Sequence, residues 1–551
     1  MDLNKFLRLI IFAFLLYTTN SIKAQNFTKY WIKFKDKDNS SYSVNSPRAF
    51  LSDRAIERRT KQGISVDLTD IPVNQTYVDQ INATGASVFQ VSKWMNAAIV
   101  IVSNSSQLTA INSLSCVAGS SPVAKLKRIA IGTNLDSKEN AVKKISNTIS
   151  AYNYGPSYTQ VNQVGADCLH EIGYRGQGVL IAVIDAGFDR VNTNPVFDSL
   201  RNENRLLGTR DIVVGNSSVY EDNSHGANCL SLMAGNAPGK LIGTAPKASY
   251  WLMRSEDVAS EKLIEECNWI IAAELADSLG ADITTTSLGY TTFDIVSQNH
   301  TYNDLNGKTA VASLAATMAA RKGMFVLNAA GNEGGGAWNY ISVPADADSI
   351  CTVGSVNGSG IHSGFSSVGP TADGRIKPEL SAMGEGAYVC SPSYNFGSGN
   401  GTSYATPILA GAVACLWQAN PTKTNMQILQ ALKATASKSA NPDNDYGWGI
   451  PNMCSAHQLL QSQINSVDEN KISNEVQFFP NPVDKQLQFK LSQKVQRVEI
   501  SDVLGKQIDF QISEPKPLHY EISFESFVVP GIYFMTIKTE RGIFNQRFIK
   551  E

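Results

Sequence analysis

The chain has 551 residues, with 47 Lys+Arg against 49 Asp+Glu and a formal net charge of −2. Hydrophobic residues are 43% and charged residues 17%. That excludes a mostly disordered chain and leaves material for a sizeable core, at a length that suits roughly three or four domains. So neutral a balance also argues against a global electrostatic grip on nucleic acid or on an anionic membrane.

In chain order, Met1–Ala24 opens with Lys5 and Arg8, continues with an apolar run from Leu9 to Tyr17, and ends at Ala24-Gln25. This is the layout of a secretory signal peptide over residues 1–24. The run is too short to span a bilayer, which needs about 20 apolar residues. No later run approaches that length, so no transmembrane segment is expected in the mature form. Export permits disulfides. Cys168, Cys229, Cys267, Cys351, Cys390, Cys415 and Cys454 lie in the middle region and Cys116 before it. The middle set is odd, so at least one thiol is free or paired elsewhere, and the pairing is not readable from spacing.

Residues 25–150 combine strand-like pieces, Tyr30–Phe34 and Ala97–Val102, with a charged helical stretch, Pro47–Gln62. They read as a small α+β unit ending in a polar linker, Lys125–Tyr154. Over residues 151–463, apolar strands alternate with helical stretches. Examples are Val179–Ile184, Met324–Leu327 and Ile350–Val353. Such a pattern predicts an α/β fold, a parallel sheet with helices on both faces. Residues 474–551 switch to short alternating strands, Gln486–Leu491 and Ile532–Ile537, which predict a small antiparallel β-sandwich.

Three residues stand out chemically. Ser403 lies in Gly401-Thr402-Ser403-Tyr404-Ala405-Thr406-Pro407, just before the apolar stretch Ile408–Leu416. A serine at the N-terminus of a buried helix sits among free N–H groups and the positive end of the dipole, both suited to a developing oxyanion. A nucleophilic serine needs a base, and the base an orienting acid. Of the six histidines, His225 directly precedes Gly226 and opens a helical stretch running to Gly235. His170, His300, His362, His457 and His519 have no such setting. Asp185 ends the strand Val179–Ile184, and active sites of open α/β sheets lie beyond the carboxyl ends of strands. Taken singly, an N-cap serine, a solvated histidine and a turn aspartate would explain each residue.

Together, in the order Asp185, His225, Ser403, they resemble the subtilase family of serine peptidases. Ile181–Asp185, Ser224-His225-Gly226 and Gly401–Pro407 match its three signature blocks, and Gly243-Thr244-Ala245-Pro246 resembles an intervening segment. One departure is Asn228, where the family usually carries a second histidine. The resemblance implies a secreted serine endopeptidase acting through an Asp185-His225-Ser403 triad and an acyl-enzyme. It further implies that Asn332, in Asn328–Gly334, donates its amide to the oxyanion. Ser287-Leu288-Gly289 would pair with substrate backbone as an added strand. Ala329, Ala330 and Gly331 would wall the primary pocket, their smallness leaving room for a sizeable substrate side chain, with the pocket base left open. Its partners would be protein or peptide substrates.

No metal or cofactor is required for that chemistry. A structural calcium could bind Asp304-Leu305-Asn306-Gly307, but the segment lacks the full acidic spacing of a calcium loop and reads better as a turn. The unit at 25–150 resembles the inhibitory propeptides of exported peptidases, Ser92–Ala97 looking like part of one, with cleavage expected in Lys125–Tyr154. The tail resembles the C-terminal sorting domain of type IX secretion in Gram-negative bacteria, through Phe479-Pro480-Asn481-Pro482, Asp502–Lys506 and Pro530-Gly531-Ile532-Tyr533. The type IX secretion machinery would then be a partner, and the protein would be released or surface-attached.

Rival readings fare worse. The glycines Gly173-Tyr174-Arg175-Gly176-Gln177-Gly178 precede their strand, whereas a dinucleotide site needs them after it. An α/β-hydrolase needs its acid and histidine after the serine, and only His457 and His519 follow Ser403. A non-catalytic surface adhesin on the same scaffold would lack a working triad.

Overall fold

The computed structural model describes residues 28–125, 152–465, 477–491, 494–502, 506–524, 528–539 and 543–551. The signal-peptide segment, most of the expected linker and the centre of Asp502–Lys506 lie outside the described residues. The chain divides into two compact units, Met1–Gln458 and Leu459–Glu551.

The first unit begins with β1 (Thr28–Phe34), α1 (Asp53–Lys61), α2 (Gln75–Ala83), β2 (Ser87–Ser92), β3 (Ala97–Val102), α3 (Ser105–Asn112) and β4 (Val117–Lys125). The four strands form an antiparallel sheet in the order β2-β3-β1-β4. Ala97-Ala98-Ile99-Val100 is apolar without alternation because both faces of this sheet are covered. Ile32, Ala98 and Val100 pack in a core with Ile81 of α2 and Ile111 of α3. Trp31, Ala97 and Ile99 point the other way, into the core of the large sheet's helical layer.

That larger body is built on β5 (Leu180–Asp185), β6 (Leu206–Asp211), α4 (His225–Ala234), β7 (Ser249–Arg254), α5 (Ile264–Leu279), β8 (Ile283–Thr286), α6 (Val311–Arg321), β9 (Phe325–Ala329), β10 (Cys351–Val356), β11 (Leu380–Met383) and α7 (Thr402–Ala419). Seven strands form one sheet in the order β11-β10-β9-β8-β5-β7-β6, and every pairing in it is parallel. In β5, Leu180, Ala182 and Ile184 join the core beneath α5 and α6, while the intervening Ile181 and Val183 are buried on the opposite face. The α/β expectation therefore holds, and the gapless apolar runs reflect a sheet covered on both sides.

The N-terminal sheet is fastened to α5 and α6 by buried polar groups. Glu274 of α5 accepts hydrogen bonds from the Ser92 hydroxyl, from Lys93 N–H (2.8 Å) and from Trp94 N–H (3.0 Å). One turn further, Asp277 receives Arg58 at 2.5 Å, Arg59 at 2.7 and 2.8 Å, and Lys93 at 3.3 Å, and is itself fully buried. Arg59 also reaches Asp70 (2.7 Å), which takes Lys322 at 3.0 Å. Arg58 and Arg59 fall in the last turn of α1, where cations suit the helix dipole, and Ser52 caps its start by accepting from Ala55 N–H.

Cys168 in the helix Ala166–Glu171 is disulfide-bonded to Cys454. The other six cysteines are free and buried. The odd middle count resolves as one pair and five thiols there, with Cys116 the sixth.

The second unit holds an antiparallel four-stranded and an antiparallel three-stranded sheet. Leu487, Phe489 and Ile522 of one face Ile500, Met535 and Ile537 of the other in a single core. This is a β-sandwich, and the alternation read in Gln486–Leu491 is its inside-outside pattern.

Candidate active site

Asp185 closes β5 at the carboxyl edge of the sheet and is fully buried. Its Oδ1 accepts from Ala186 N–H at 2.7 Å and from His225 Nδ1 at 2.7 Å. Its Oδ2 is buried without a hydrogen-bond partner. His225 is the first residue of α4, and its backbone N–H is held by the Asn223 side chain at 2.7 Å. The glycine after it has a steric reason. A Cβ on Gly226 would lie 2.5 Å from the Gly187 carbonyl and 2.9 Å from Asp185 Cβ. Only glycine lets the start of α4 come this close to the end of β5. The imidazole keeps a third of its surface exposed, while the Asp185 side chain has none. Burial alone would lower the His225 pKa, but the adjacent Asp185 carboxylate outweighs it and raises the group well above its ordinary 6.5.

Ser403 is the second residue of α7 and is buried. Its hydroxyl donates to the Ser287 carbonyl at 3.3 Å. Its own carbonyl is unusual for a helix. The donor four residues on would be Pro407, which has no N–H. Two side chains replace it, Ser287 Oγ at 2.9 Å and Cys229 Sγ at 3.3 Å. Cys229 sits one turn after His225 on the same face of α4, its sulfur 3.9 Å from His225 Nδ1. The bond from Cys229 thus ties the serine-bearing helix to the histidine-bearing one.

Asn332 Oδ1 accepts from Thr402 N–H at 2.9 Å and Thr402 Oγ1 at 3.1 Å, and Thr402 Oγ1 also receives Gly331 N–H at 3.2 Å. With its oxygen so engaged, the amide nitrogen lies on the Gly401 side, 3.8 Å from where a Cβ on that glycine would stand. Ser287, Leu288 and Gly289 continue past the end of β8 outside any ladder, with Gly289 exposed. Ala329 ends β9, and Ala330 donates to the Val353 carbonyl at 3.0 Å. The structure thus joins Asp185 directly to His225, Ser403 to Ser287, and Asn332 and Gly331 to Thr402.

Asp304 accepts from Thr301 N–H and Oγ1, both at 2.8 Å, and Asn306 Oδ1 accepts from the N–H groups of Lys308 (2.8 Å) and Thr309 (3.0 Å). These are the bonds of a capped turn.

Sequence reading passed over Cys229, although the four-residue spacing from His225 was available. It also passed over Glu274 and Asp277, for which the only signal is charge within an otherwise apolar helix.

A seven-stranded parallel sheet with a buried carboxylate bonded to an imidazole at its carboxyl edge, and a serine at the head of the central helix, defines a subtilisin-type peptidase scaffold. The comparisons agree. Residues 176–449 match the subtilase family model, residues 29–143 the peptidase S8 propeptide domain of Bacteroidota, and residues 477–551 the secretion system C-terminal sorting domain. Subtilisin NAT of Bacillus subtilis subsp. natto is 32% identical over 329 residues, covering 58% of this chain and 77% of the relative. Subtilisin of Bacillus pumilus is 32% identical over 305 residues, 54% and 98% of the two chains. Subtilisin Savinase of Lederbergia lenta is 29% identical over 294 residues, 53% and 95%. The chain belongs to the subtilase family. It is a subtilisin-like serine endopeptidase with a propeptide, and its sorting domain marks it as secreted or held at the cell surface. Among the described residues, no helix is long and apolar enough to cross a membrane.

Proposed function

We propose that the protein hydrolyses peptide bonds of proteins through an acyl-enzyme formed on Ser403. The observation that carries this reading is the 2.7 Å bond between His225 Nδ1 and the buried Asp185 carboxylate. It fixes the tautomer that leaves Nε2 free to accept a proton. The Ser403 hydroxyl turns from the Ser287 carbonyl to Nε2, gives up its proton and attacks the substrate carbonyl. The oxyanion is held by the Asn332 amide and the Ser403 N–H. His225 then protonates the leaving amine, and water, activated by the same imidazole, releases the acid product. The substrate chain pairs with Ser287–Gly289, and Ala329, Ala330 and Gly331 wall its primary pocket. No step needs a metal or cofactor.

Residues 25–150 act as inhibitor until cleavage within Lys125–Tyr154. The burial of Glu274 and Asp277 against Ser92–Trp94, Arg58 and Arg59 supports a tight, preformed complex. Residues 151–463 then form the peptidase, and residues 474–551 the address read by the type IX secretion machinery. In the test, Ser403→Ala in the full-length chain abolishes casein hydrolysis and leaves an unprocessed precursor. Undiminished hydrolysis by that variant would refute the triad.

A further inference from the structure

We infer that Arg254 is a positioning residue for the triad: it fastens both ends of the loop between β6 and α4 beside Asp185, and through that loop it sets the placement of His225. The inference rests on the serine-peptidase reading above and concerns a side chain that takes no part in making or breaking bonds.

Arg254 is the last residue of β7 and lies between two strand ends. In the ladders it pairs with Asp185 of β5 on one side and with Asp211 of β6 on the other. Its carbonyl accepts from Ile212 N–H at 2.9 Å. Its Nη1 donates to Asp211 Oδ2 at 2.8 Å and lies 3.2 Å from Asp222 Oδ2. Asp211 closes β6, and Asp222 comes three positions before His225. One residue therefore holds the start and the end of the loop.

The far end of the loop delivers the base. Asp222 is followed by Asn223, whose side chain accepts from His225 N–H at 2.7 Å. The Asn223 carbonyl accepts from Asp189 N–H at 2.9 Å, and the Val219 carbonyl from Phe188 N–H at 2.7 Å. Phe188 and Asp189 follow shortly after Asp185. The links close a ring. The imidazole bonds Asp185, Asp185 neighbours Arg254 in the sheet, Arg254 holds Asp222, and Asn223 returns to the N–H of the histidine. His225 is thus fixed at its ring by the carboxylate and at its backbone by the loop.

The energetics suit a geometric role. The Arg254 and Asp211 side chains are 6% and 2% exposed. A buried ion pair gains little net stability over apolar residues of the same volume. What a guanidinium adds is direction, because its planar fork presents donors at fixed angles. Arg254 Nε is buried with no hydrogen-bond partner, a cost borne while the far end of the side chain serves the two carboxylates.

The test changes Asp222, the more exposed partner, so that the buried Arg254–Asp211 pair survives. Asp222→Ala removes both the charge and the acceptor, whereas Asp222→Asn removes only the charge. Parent and variants are expressed full length and cleaved in trans by an added peptidase that is then removed. Active sites are counted by fluorophosphonate labelling carried to completion. Asp222→Ala should lower kcat by ~10-fold or more with KM within ~2-fold, in the range that a small misplacement of a reacting group costs. It should also move the acid limb of kcat/KM down, because the contact that raises the His225 pKa is loosened. Asp222→Asn, still able to accept from Arg254, should return kcat to within ~3-fold of the parent and restore the acid limb. In folded Arg254→Met, adding Asp222→Ala should cost nothing further, since both act through one contact. A parent-like kcat and acid limb in Asp222→Ala, an Asp222→Asn as impaired as Asp222→Ala, or additive losses with Arg254→Met would overturn the inference and leave the serine-peptidase reading intact. A parent that takes no label overturns both.

Discussion

The thiol of Cys229 donates a hydrogen bond to the carbonyl oxygen of Ser403 at 3.3 Å. It fills, together with Ser287 Oγ, a helical position that Pro407 cannot serve. A cysteine so near His225 invites the idea of a thiol nucleophile. Burial, however, pushes the Cys229 thiol above its ordinary 9.0, and a buried, protonated thiol is inert. Iodoacetamide should therefore leave activity unchanged, whereas a sulfonyl fluoride should abolish it. Cys229→Ala should cost about 1 kcal/mol or less in kcat/KM, the worth of one ordinary hydrogen bond. Loss of activity on alkylation of native enzyme would contradict this.

The pH profile follows from His225. Catalysis needs the imidazole neutral, and the Asp185 carboxylate holds its pKa well above 6.5. Activity should thus be low at acid pH and rise through an apparent pKa above 6.5 in kcat/KM. Asp185→Asn removes the charge that raises this pKa and also frees the wrong tautomer. It should move the acid limb down and reduce kcat by about 10⁴-fold, as loss of the triad carboxylate does elsewhere. A limb at or below pH 6.5 in the parent would contradict the assigned pair.

Asp277 anchors the propeptide. Burial alone would raise its carboxyl, but Lys93, Arg58 and Arg59 outweigh that and hold it below its ordinary 3.8. For such a depressed acid, the stabilisation is complete above 3.8 and fades only as pH falls through the lower folded value. Mild acid, at about pH 5, should therefore leave these ion pairs intact. Asp277→Asn strands the Arg58 guanidinium in the interface, while Arg59 keeps Asp70, at a cost of about 3–5 kcal/mol. Gel filtration of cleaved material should show the propeptide co-eluting with the parent peptidase and separating from the variant.

The disulfide Cys168–Cys454 closes a loop across a sequence separation of 286 residues. In the chain-entropy treatment so long a loop falls at the upper end of disulfide stabilisation, about 5–6 kcal/mol. Cys168→Ser should lower Tm by several degrees, and reductant should do the same to the parent but leave the variant unmoved. Calorimetry with and without reductant decides this, and equal Tm values for parent and variant would contradict it.

What the sequence made legible is what local chemistry dictates. The strand ending at Asp185, the helix opened by His225 and the helix carrying Ser403 all follow from the apolar pattern of their own segments, and their partners in the sheet follow from uninterrupted apolar runs. The role of Gly226 was hidden because a close approach is defined by the neighbour, Asp185, as much as by the glycine. Cys229 was hidden for a related reason. It bonds to a backbone carbonyl far off in sequence, that of Ser403, and leaves no pattern in its own segment. Asp277 looked like an interior charge until Arg58 and Arg59 were placed against it. The pairing of Cys168 with Cys454 was beyond reach for the same cause, since spacing carries no information on which thiols meet.

The most direct measurement is the site of covalent capture. Processed enzyme is treated with a fluorophosphonate, digested, and its adduct located by mass spectrometry. One adduct per molecule, on Ser403, that is lost in Ser403→Ala and much slowed in His225→Ala, both variants being first processed in trans by an added peptidase that is then removed, is the expected result. An adduct on another residue, or labelling that is indifferent to His225, would show that the carboxylate, imidazole and hydroxyl do not work as one unit.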